Sequence, residues 1–263
     1  MTAKRPPNRV TQAVEMLGHA FAIGMTLTEL PASCRPRTLN QAYAVQTAFV
    51  ASLGIETGGW KIGCTSEAAR SILKAKSPFA GRVLLTRCFA SGTEIPNFSY
   101  PMRGIEGEFA FVLGKSLKPR ARPYTRAEIE AAVADLHLAI EIVDSRYTDW
   151  RKVTLPEIVA DLGANGALVL GNPVRNWRRY DLAEIAVTMR SGGRIVGKGH
   201  GADALGNPLD ALRWLANNPA TKDGLQAGEI VSTGTCTGFY QSAPGDKVSC
   251  TFGPLGKVAL AFG

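Results

Sequence analysis

The sequence predicts an α+β protein with a helical N-terminal part and a β-rich remainder. Two observations carry this expectation. Apolar residues recur at helical spacing through residues 10–53. From about residue 90 onward, short apolar runs broken by glycine and proline dominate. The expected division is therefore residues 1–90, a helical segment that also carries a lysine-bearing strand, and residues 91–263, a β-rich catalytic part with the candidate metal ligands.

Each element has its own signal. "VTQAVEMLGHAFAIG" (10–24) has apolar residues on one helical face. "TLNQAYAVQTAFVASLG" opens on Thr38 as an N-cap and closes on Gly54, with the loop "LPASCRPRT" before it. "GGWKIGCTS" (58–66) reads as a short strand between glycines, and 67–76 as a short helix stopped by Pro78. "IEGEFAFVLG" is a strand, and "TRAEIEAAVADL" (125–136) a helix with Thr125 and Glu128 spaced as a capping box. "HLAIEIVDS" (137–145) and "GALVLG" (166–171) are further strands. "IAVTMRSGGRIVGKG" (185–199) is a hairpin turning at Ser191-Gly192-Gly193. "NPLDALRWLANN" (207–218) is a helix with proline near its start, and "GEIVSTGT", "DKVSCTF" and "GKVALAF" are late strands.

Composition narrows the class. The 263 residues are 45% hydrophobic and 20% charged, ordinary globular usage that limits expected disorder to about the first dozen residues. No run has the length of an apolar bilayer span, and the basic start lacks the apolar stretch of a signal peptide. A soluble cytoplasmic protein is expected, with no membrane partner. The five cysteines, Cys34, Cys64, Cys88, Cys236 and Cys250, form no C-x-x-C pair and are expected to be reduced and mostly buried. The net charge of +8 gathers in "KPRARPYTR" (118–126) and "RNWRRY" (175–180). Both are read as solvated connecting segments, because no zinc-finger spacing or RNA-binding signature accompanies them; no nucleic-acid partner is expected. A positive field also attracts a small anionic substrate.

The chemistry is concentrated in three strands. In 105–113, Ile105, Phe109, Phe111 and Leu113 share one face with Gly107, while Glu106, Glu108, Ala110 and Val112 share the other. Two like charges this close repel, and either water or a bound cation relieves them. Taken alone, Glu-x-Glu reads as a wet strand end. Glu141, in mid-strand between Ala139 and Val143, adds a third carboxylate in apolar surroundings. Three carboxylates without histidine or thiolate form a hard-oxygen set suited to Mg²⁺ or Mn²⁺. Lys61, between Trp60 and Ile62, either snorkels to water or, beside such a metal, binds a substrate carboxylate or moves a proton. His19, His137 and His200 are read as structural or exposed.

In order along the chain, "GGWKIGCTS", "IEGEFAFVL", "AIEIVDSR", "GALVLG", "GADALGNPLDALRWLAN" and "GLQAGEIVSTGTCTG" followed by "PGDKV" and "FGPLGKV" resemble the fumarylacetoacetate hydrolase superfamily. The branch is that of the 2-keto-4-pentenoate hydratases and 4-oxalocrotonate decarboxylases, and the resemblance runs from about residue 20 to the end. It implies a mixed β-roll with flanking helices, a Mg²⁺ or Mn²⁺ site on Glu106, Glu108 and Glu141, a catalytic Lys61, and a substrate-contacting turn at Thr233, Gly234 and Thr235. It implies a 2-oxo acid substrate and a homo-oligomer. Two departures stand out. Phe79, in "KSPFAGR", occupies the place of an acidic residue. In "ADLGANG", Leu162 replaces an asparagine and Ala164 a serine, leaving Asp161 as the catalytic candidate and Asn165 as the substrate-binding candidate there. These departures bear on water addition, which needs a base or a positioned water.

The leading expectation is a metal-dependent lyase, a hydratase acting on a 2-oxo-alkenoate in the catabolism of an aromatic compound. The alternatives are a decarboxylase on the same scaffold, an acylpyruvate-type C–C hydrolase, which would want a Glu–His pair, and an accessory subunit that kept the fold.

Overall fold

A computed structural model describes residues 8–96 and 100–263. Of the opening dozen residues, 1–7 lie outside that description, and Asn8 already caps a helix through Oδ1, which accepts from the Val10 and Thr11 amides. That helix, α1 (Arg9–Ile23), and α2 (Leu39–Leu53) each end on a left-handed glycine, Gly24 and Gly54. Thr38 caps α2 as the sequence predicts.

The elements that follow are β1 (Thr57–Gly63), α3 (Glu67–Ile72), β2 (Phe79–Leu84), β3 (Cys88–Ala90), β4 (Glu94–Ile95) and β5 (Gly104–Leu113). Then come α4 (Arg126–Ala132), β6 (Val133–Val143), α5 (Leu155–Ala160) and β7 (Asn165–Pro173). The chain finishes with β8 (Ala186–Ser191), β9 (Arg194–His200), α6 (Pro208–Ala216), β10 (Ile230–Thr235), β11 (Tyr240–Gln241), β12 (Lys247–Phe252) and β13 (Gly256–Phe262).

Among the described residues these strands make two sheets. One runs β2-β1-β10-β5-β6-β7-β3, with β11 added on β5; the other runs β4-β13-β12-β8-β9. Both are mixed: β1 is parallel to β10, β3 to β7 and β4 to β13, and the remaining pairs are antiparallel. The division expected at residue 90 falls inside the first sheet, because β1 and β3 hydrogen-bond to β10 and β7.

One boundary is corrected. The helix expected over 125–136 stops at Ala132, and 133–136 are strand. The Thr125–Glu128 capping box forms as expected. Beyond it, Val133, Asp135 and Leu136 pair with Leu113, Val112 and Phe111, so cross-strand hydrogen bonds override the helical period of "AAVADL".

The two faces of β5 do different work. Ile105, Phe109, Phe111 and Leu113 are buried toward the second sheet, where Phe109 meets Phe252 edge-on at 5.0 Å between centroids. Burial of each such ring contributes about 1.5–3 kcal/mol. The opposite face carries the glutamates, then packs Ala110 with Ala139, Leu168 and Val83. Beyond that patch α1, α2 and α5 cover the sheet in a second apolar cluster that includes Phe79, Val143, Leu162 and Ala164. Gln46 of α2 ties the layers together, donating to the Val159 carbonyl at 2.5 Å and to the Ala80 carbonyl at 3.3 Å.

Candidate active site

Strand register brings the charged residues together. Glu106 lies directly opposite Glu141 in the β5–β6 pair, and Lys61 and Ala110 both lie beside Ser232 of β10. The three glutamates each offer an oxygen within 4.8 Å of the others, and among the described residues they are the one cluster of ligand-type side chains this close. Glu108 and Glu141 are fully buried, and Glu106 is partly exposed. The wet strand end is thereby excluded.

The two buried glutamates share a pattern. Glu141 Oε1 contacts Lys61 Nζ at 3.2 Å and accepts from Asn165 Nδ2 at 2.8 Å, while Oε2 is buried with no partner. Glu108 Oε2 accepts from Ser232 Oγ at 2.5 Å and from the Gly234 amide at 2.9 Å, while Oε1 is buried with no partner. Each carboxylate has one oxygen fixed and one open. The Gly234 contact depends on a bulge, where the β10–β5 register shifts between Ser232 and Thr235. Gly234 sits at φ +97°, and a Cβ there would stand 2.0 Å from Thr65 Oγ1, so glycine alone fits.

Charge strains the cluster. Burial pushes the Glu106 carboxyl up to about 7, the Glu141 charge adding to the rise and Lys61 opposing it. Burial, then the charges of Glu141 and Glu106, push Glu108 well above its ordinary value. For Lys61 burial acts downward, but the charges of Glu141, Glu106 and Glu108 more than offset it, and the ammonium is held above its usual range. One ammonium thus faces three carboxylates. A hard divalent cation fits the donor set: all-oxygen ligands, an unbalanced negative charge and two buried oxygens left open.

A cavity of about 110 Å³ opens beside Lys61 and Glu106. Its other walls are apolar or backbone, among them Ile72, Leu73, Phe79, Val143, Trp150, Ile158 and Phe239. Phe79 lies with its ring centroid 5.6 Å from Lys61 Nζ. Gly63 makes room for that ring, since a Cβ at Gly63 would meet it at 2.3 Å. Cys64 also lines the cavity, but burial pushes its thiol up to about 11, so it is protonated at neutral pH and is no nucleophile. A larger depression of about 540 Å³ lies along α2 and is lined by no carboxylate, thiol or histidine.

The remaining candidates fall in two groups. Asn165, Gly234 and Lys61 reach the cluster. Thr233 and Thr235 bond backbone instead, donating to the carbonyls of Phe109 at 2.9 Å and Gly238 at 3.2 Å. Asp161 is not brought to the cavity. It is buried against Arg146, with Oδ1 accepting from Arg146 Nε and Oδ2 from the Arg146 amide at 2.8 Å and Ser145 Oγ at 3.1 Å. Arg146 also donates to the Asn165 carbonyl at 3.2 Å, so Asp161 positions the start of β7. Phe79 and Ala164 line the cavity, whereas Leu162 packs into the helical layer at φ +54°. His137 Nδ1 pairs with the Gly171 carbonyl at 2.8 Å, and His19 and His200 are exposed. All five cysteines are free, and all but Cys88 are buried. Sequence reasoning missed Ser232. Its signal was the switch from apolar to hydroxyl residues in "IVSTGT", level with the glutamate strand.

The family model described as fumarylacetoacetate (FAA) hydrolase C-terminal matches residues 86–261. A 2-keto-4-pentenoate hydratase of Burkholderia vietnamiensis is 33% identical over 259 residues, covering 97% of this chain and 98% of the relative. A 2-hydroxyhexa-2,4-dienoate hydratase of Comamonas testosteroni is 29% identical over 257 residues, covering 94% and 95%. The solved structure of 4-oxalocrotonate decarboxylase from Pseudomonas putida G7, complexed with magnesium and adipate, matches with a TM-score of 0.86. It is 25% identical over 96% of this chain and 97% of that one.

Proposed function

Because this chain belongs to the fumarylacetoacetate hydrolase family, we propose that it is a divalent-metal-dependent lyase that hydrates a 2-oxo-alkenoate of the 2-keto-4-pentenoate type, in the breakdown of an aromatic compound. One observation carries the reading: Glu108 and Glu141 each present one fixed and one open buried oxygen beside Lys61. Glu106, Glu108 and Glu141 would hold Mg²⁺ or Mn²⁺. Such an ion, when bound, supplies Lewis-acid polarisation of the 1-carboxylate and 2-oxo oxygens of the substrate.

The chain's own groups do the rest. Ser232 and the Gly234 amide aim Glu108, and Asn165 with Lys61 aims Glu141. Lys61 lines the cavity beside Glu141 and Glu106, so as an ammonium it offers a positive charge and a proton to the substrate end that lies against it. The apolar walls exclude bulk water and strengthen both interactions.

Decarboxylation is the second reading. Phe79 and Ala164 line the cavity as apolar groups, and among the described residues no side-chain base outside the charged cluster lines it to direct a water. Loss of CO₂ needs no added water. The test is to incubate the protein and Mg²⁺ with 2-hydroxypenta-2,4-dienoate and with 4-oxalocrotonate and to identify products by mass. Gain of water by the dienoate is expected. Loss of CO₂ from oxalocrotonate without hydration of the dienoate would establish the second reading. No turnover of either, with no Mg²⁺ bound, would sink both.

A further inference from the structure

Hydration consumes a water, and Phe79 and Ala164 offer it no hydrogen bond in the apolar cavity. A hydroxyl outside that cavity does. Thr65 is 3% exposed, and its Oγ1 is buried with no hydrogen-bond partner among the described residues. An unpaired buried hydroxyl destabilises a fold, so it marks a place where a water or a ligand atom completes the bond. The next residue shows the contrast: Ser66 Oγ accepts from the Ala69 amide at 3.1 Å and caps α3.

Local structure sets this hydroxyl beside the glutamates. β1 ends at Gly63, and Cys64 turns the chain at φ +58°, a left-handed conformation strained for a residue with a Cβ. Arg70 holds the turn, donating through Nη1 to the carbonyls of Cys64 at 3.2 Å and Thr65 at 2.9 Å. Thr65 Oγ1 then lies against Gly234, so close that a Cβ on Gly234 would stand 2.0 Å from it. The Gly234 amide is one of the two groups that fix Glu108. Thr65 also lines a second depression, of about 260 Å³, with Ser66, Glu67, Arg70 and Asp203. Glu67 and Asp203 are exposed, so this depression is wet. Its lining shares no residue with that of the apolar cavity. Thr65 thus stands between solvent and the glutamate cluster, on a side of its own.

We infer that Thr65 Oγ1 holds the water that is added to the substrate, drawn from the depression lined by Ser66 and Asp203. The inference rests on the hydratase reading above. A hydroxyl suits the task because it donates one hydrogen bond and accepts others, and so orients a water without deprotonating it. With 2-hydroxypenta-2,4-dienoate, transfer of the 2-hydroxyl proton to C-5 gives the 2-oxo-3-enoate with no change of composition. The water oxygen then bonds to C-4, the C-3–C-4 π pair shifts toward C-2 to leave an enolate, and the proton released by the water ends on C-3. The product, 4-hydroxy-2-oxopentanoate, is the substrate plus one water. Thr65 acts in the second step alone.

Thr65→Val and Thr65→Ser separate this role from a structural one. With Mg²⁺ in D₂O, nuclear magnetic resonance follows deuterium entering C-5 and the hydrated product together. Thr65→Val should hydrate about 100-fold more slowly, while deuterium still enters C-5 at close to the parent rate. Thr65→Ser keeps the hydroxyl and should stay within about threefold of the parent. Both variants should bind Mn²⁺ as the parent does. Thr65→Val swaps an unpaired buried hydroxyl for a methyl, so it should unfold at the same urea concentration or a higher one. Hydration by Thr65→Val at the parent rate overturns the inference and leaves the lyase reading standing. Equal loss of both steps does the same, because it puts Thr65 at the substrate head. Weaker Mn²⁺ binding or a lower urea midpoint also overturns it, because either makes the hydroxyl structural. If the unaltered, Mg²⁺-loaded protein puts deuterium into C-5 but adds no water, the hydratase reading fails and the inference with it.

Discussion

Two buried acid–base clusters meet at Asn165, the first residue of β7, whose carbonyl accepts from Arg146 and whose Nδ2 donates to Glu141, and they are built from like parts. In each, a carboxylate faces a cation, and a carboxylate oxygen takes a serine hydroxyl and a backbone amide. Around Asp161 one carboxylate does both, with Arg146, Ser145 Oγ and the Arg146 amide; among the glutamates the roles are split, Glu141 facing Lys61 and Glu108 taking Ser232 Oγ and the Gly234 amide. The difference lies in what is left over. Both oxygens of Asp161 are bonded, and one carboxylate meets one guanidinium. In the other cluster three carboxylates meet one ammonium, and Glu108 Oε1 and Glu141 Oε2 have no partner. A closed cluster is architecture; an open one is capacity for a ligand.

Breaking the closed cluster gives the largest expected effect, and it falls on stability. Asp161→Asn leaves the buried Arg146 without its counter-charge and should lower unfolding stability by about 3–5 kcal/mol in a urea titration. Mn²⁺ affinity of the folded fraction should change little. If the variant were as stable as the parent, the assignment of Asp161 to architecture would be wrong.

The open cluster should respond the other way. Glu106→Gln and Glu108→Gln each remove one of three like charges, so the cation-free protein should be unchanged or slightly more stable. Mn²⁺ binding should weaken about 100-fold in each, about 2.7 kcal/mol, read by paramagnetic titration. Unchanged affinity would remove these residues from the site.

The contrast also has a pH signature. In chelator, Glu106 is held at about 7 by burial and by the Glu141 charge, above the 4.5 of an ordinary glutamate. The folded state then binds more protons than the unfolded one between those values. Stability is full below the lower value and is lost as pH rises through the higher. Unfolding stability in chelator should therefore fall by about 2 kcal/mol between pH 5 and pH 8 from this source. Saturating Mn²⁺ should flatten the slope, and so should Glu106→Gln. An equally steep fall with Mn²⁺ present would show that the ion does not neutralise this cluster.

How much of this the sequence disclosed follows from the range of the signals. Period-two alternation put Glu106 and Glu108 on one face and Glu141 on the face away from Ile140 and Ile142, and the structure agrees. Caps at Thr38 and Thr125 were equally local and equally legible. The strand Phe79–Leu84 was missed, because "FAGRVL" has no alternation to read and owes its conformation to pairing with β1. That Asp161 is bonded to Arg146 was hidden for the same reason. Its partner Arg146 lies 15 residues away, and nothing in "ADLGANG" says that the carboxylate is already taken. Asn165 and Ser232 reach the glutamates across strands whose order in the sheet periodicity does not give.

The smallest expected effect is the sharpest form of the comparison, because it makes one change in both clusters. Ser145→Ala and Ser232→Ala each delete one hydroxyl from a carboxylate oxygen that keeps a backbone amide. Removing a charge-assisted hydrogen bond costs about 1.5–3 kcal/mol. In the closed cluster the carboxylate has no further task, so Ser145→Ala should lower unfolding stability by about 1.5 kcal/mol with Mn²⁺ affinity intact. In the open cluster the hydroxyl aims Glu108, whose carboxyl is already pushed toward its protonated form in the cation-free protein by burial and by the charges of Glu141 and Glu106, so the bond lost there is weaker than one to a full charge. Ser232→Ala should therefore leave cation-free stability nearly level and weaken Mn²⁺ binding by about tenfold, the scale expected when a group that orients a ligand is removed. Equal stability losses with unchanged Mn²⁺ affinity in both variants would mean that Ser232 supports the fold as Ser145 does, and that the Gly234 amide alone aims Glu108.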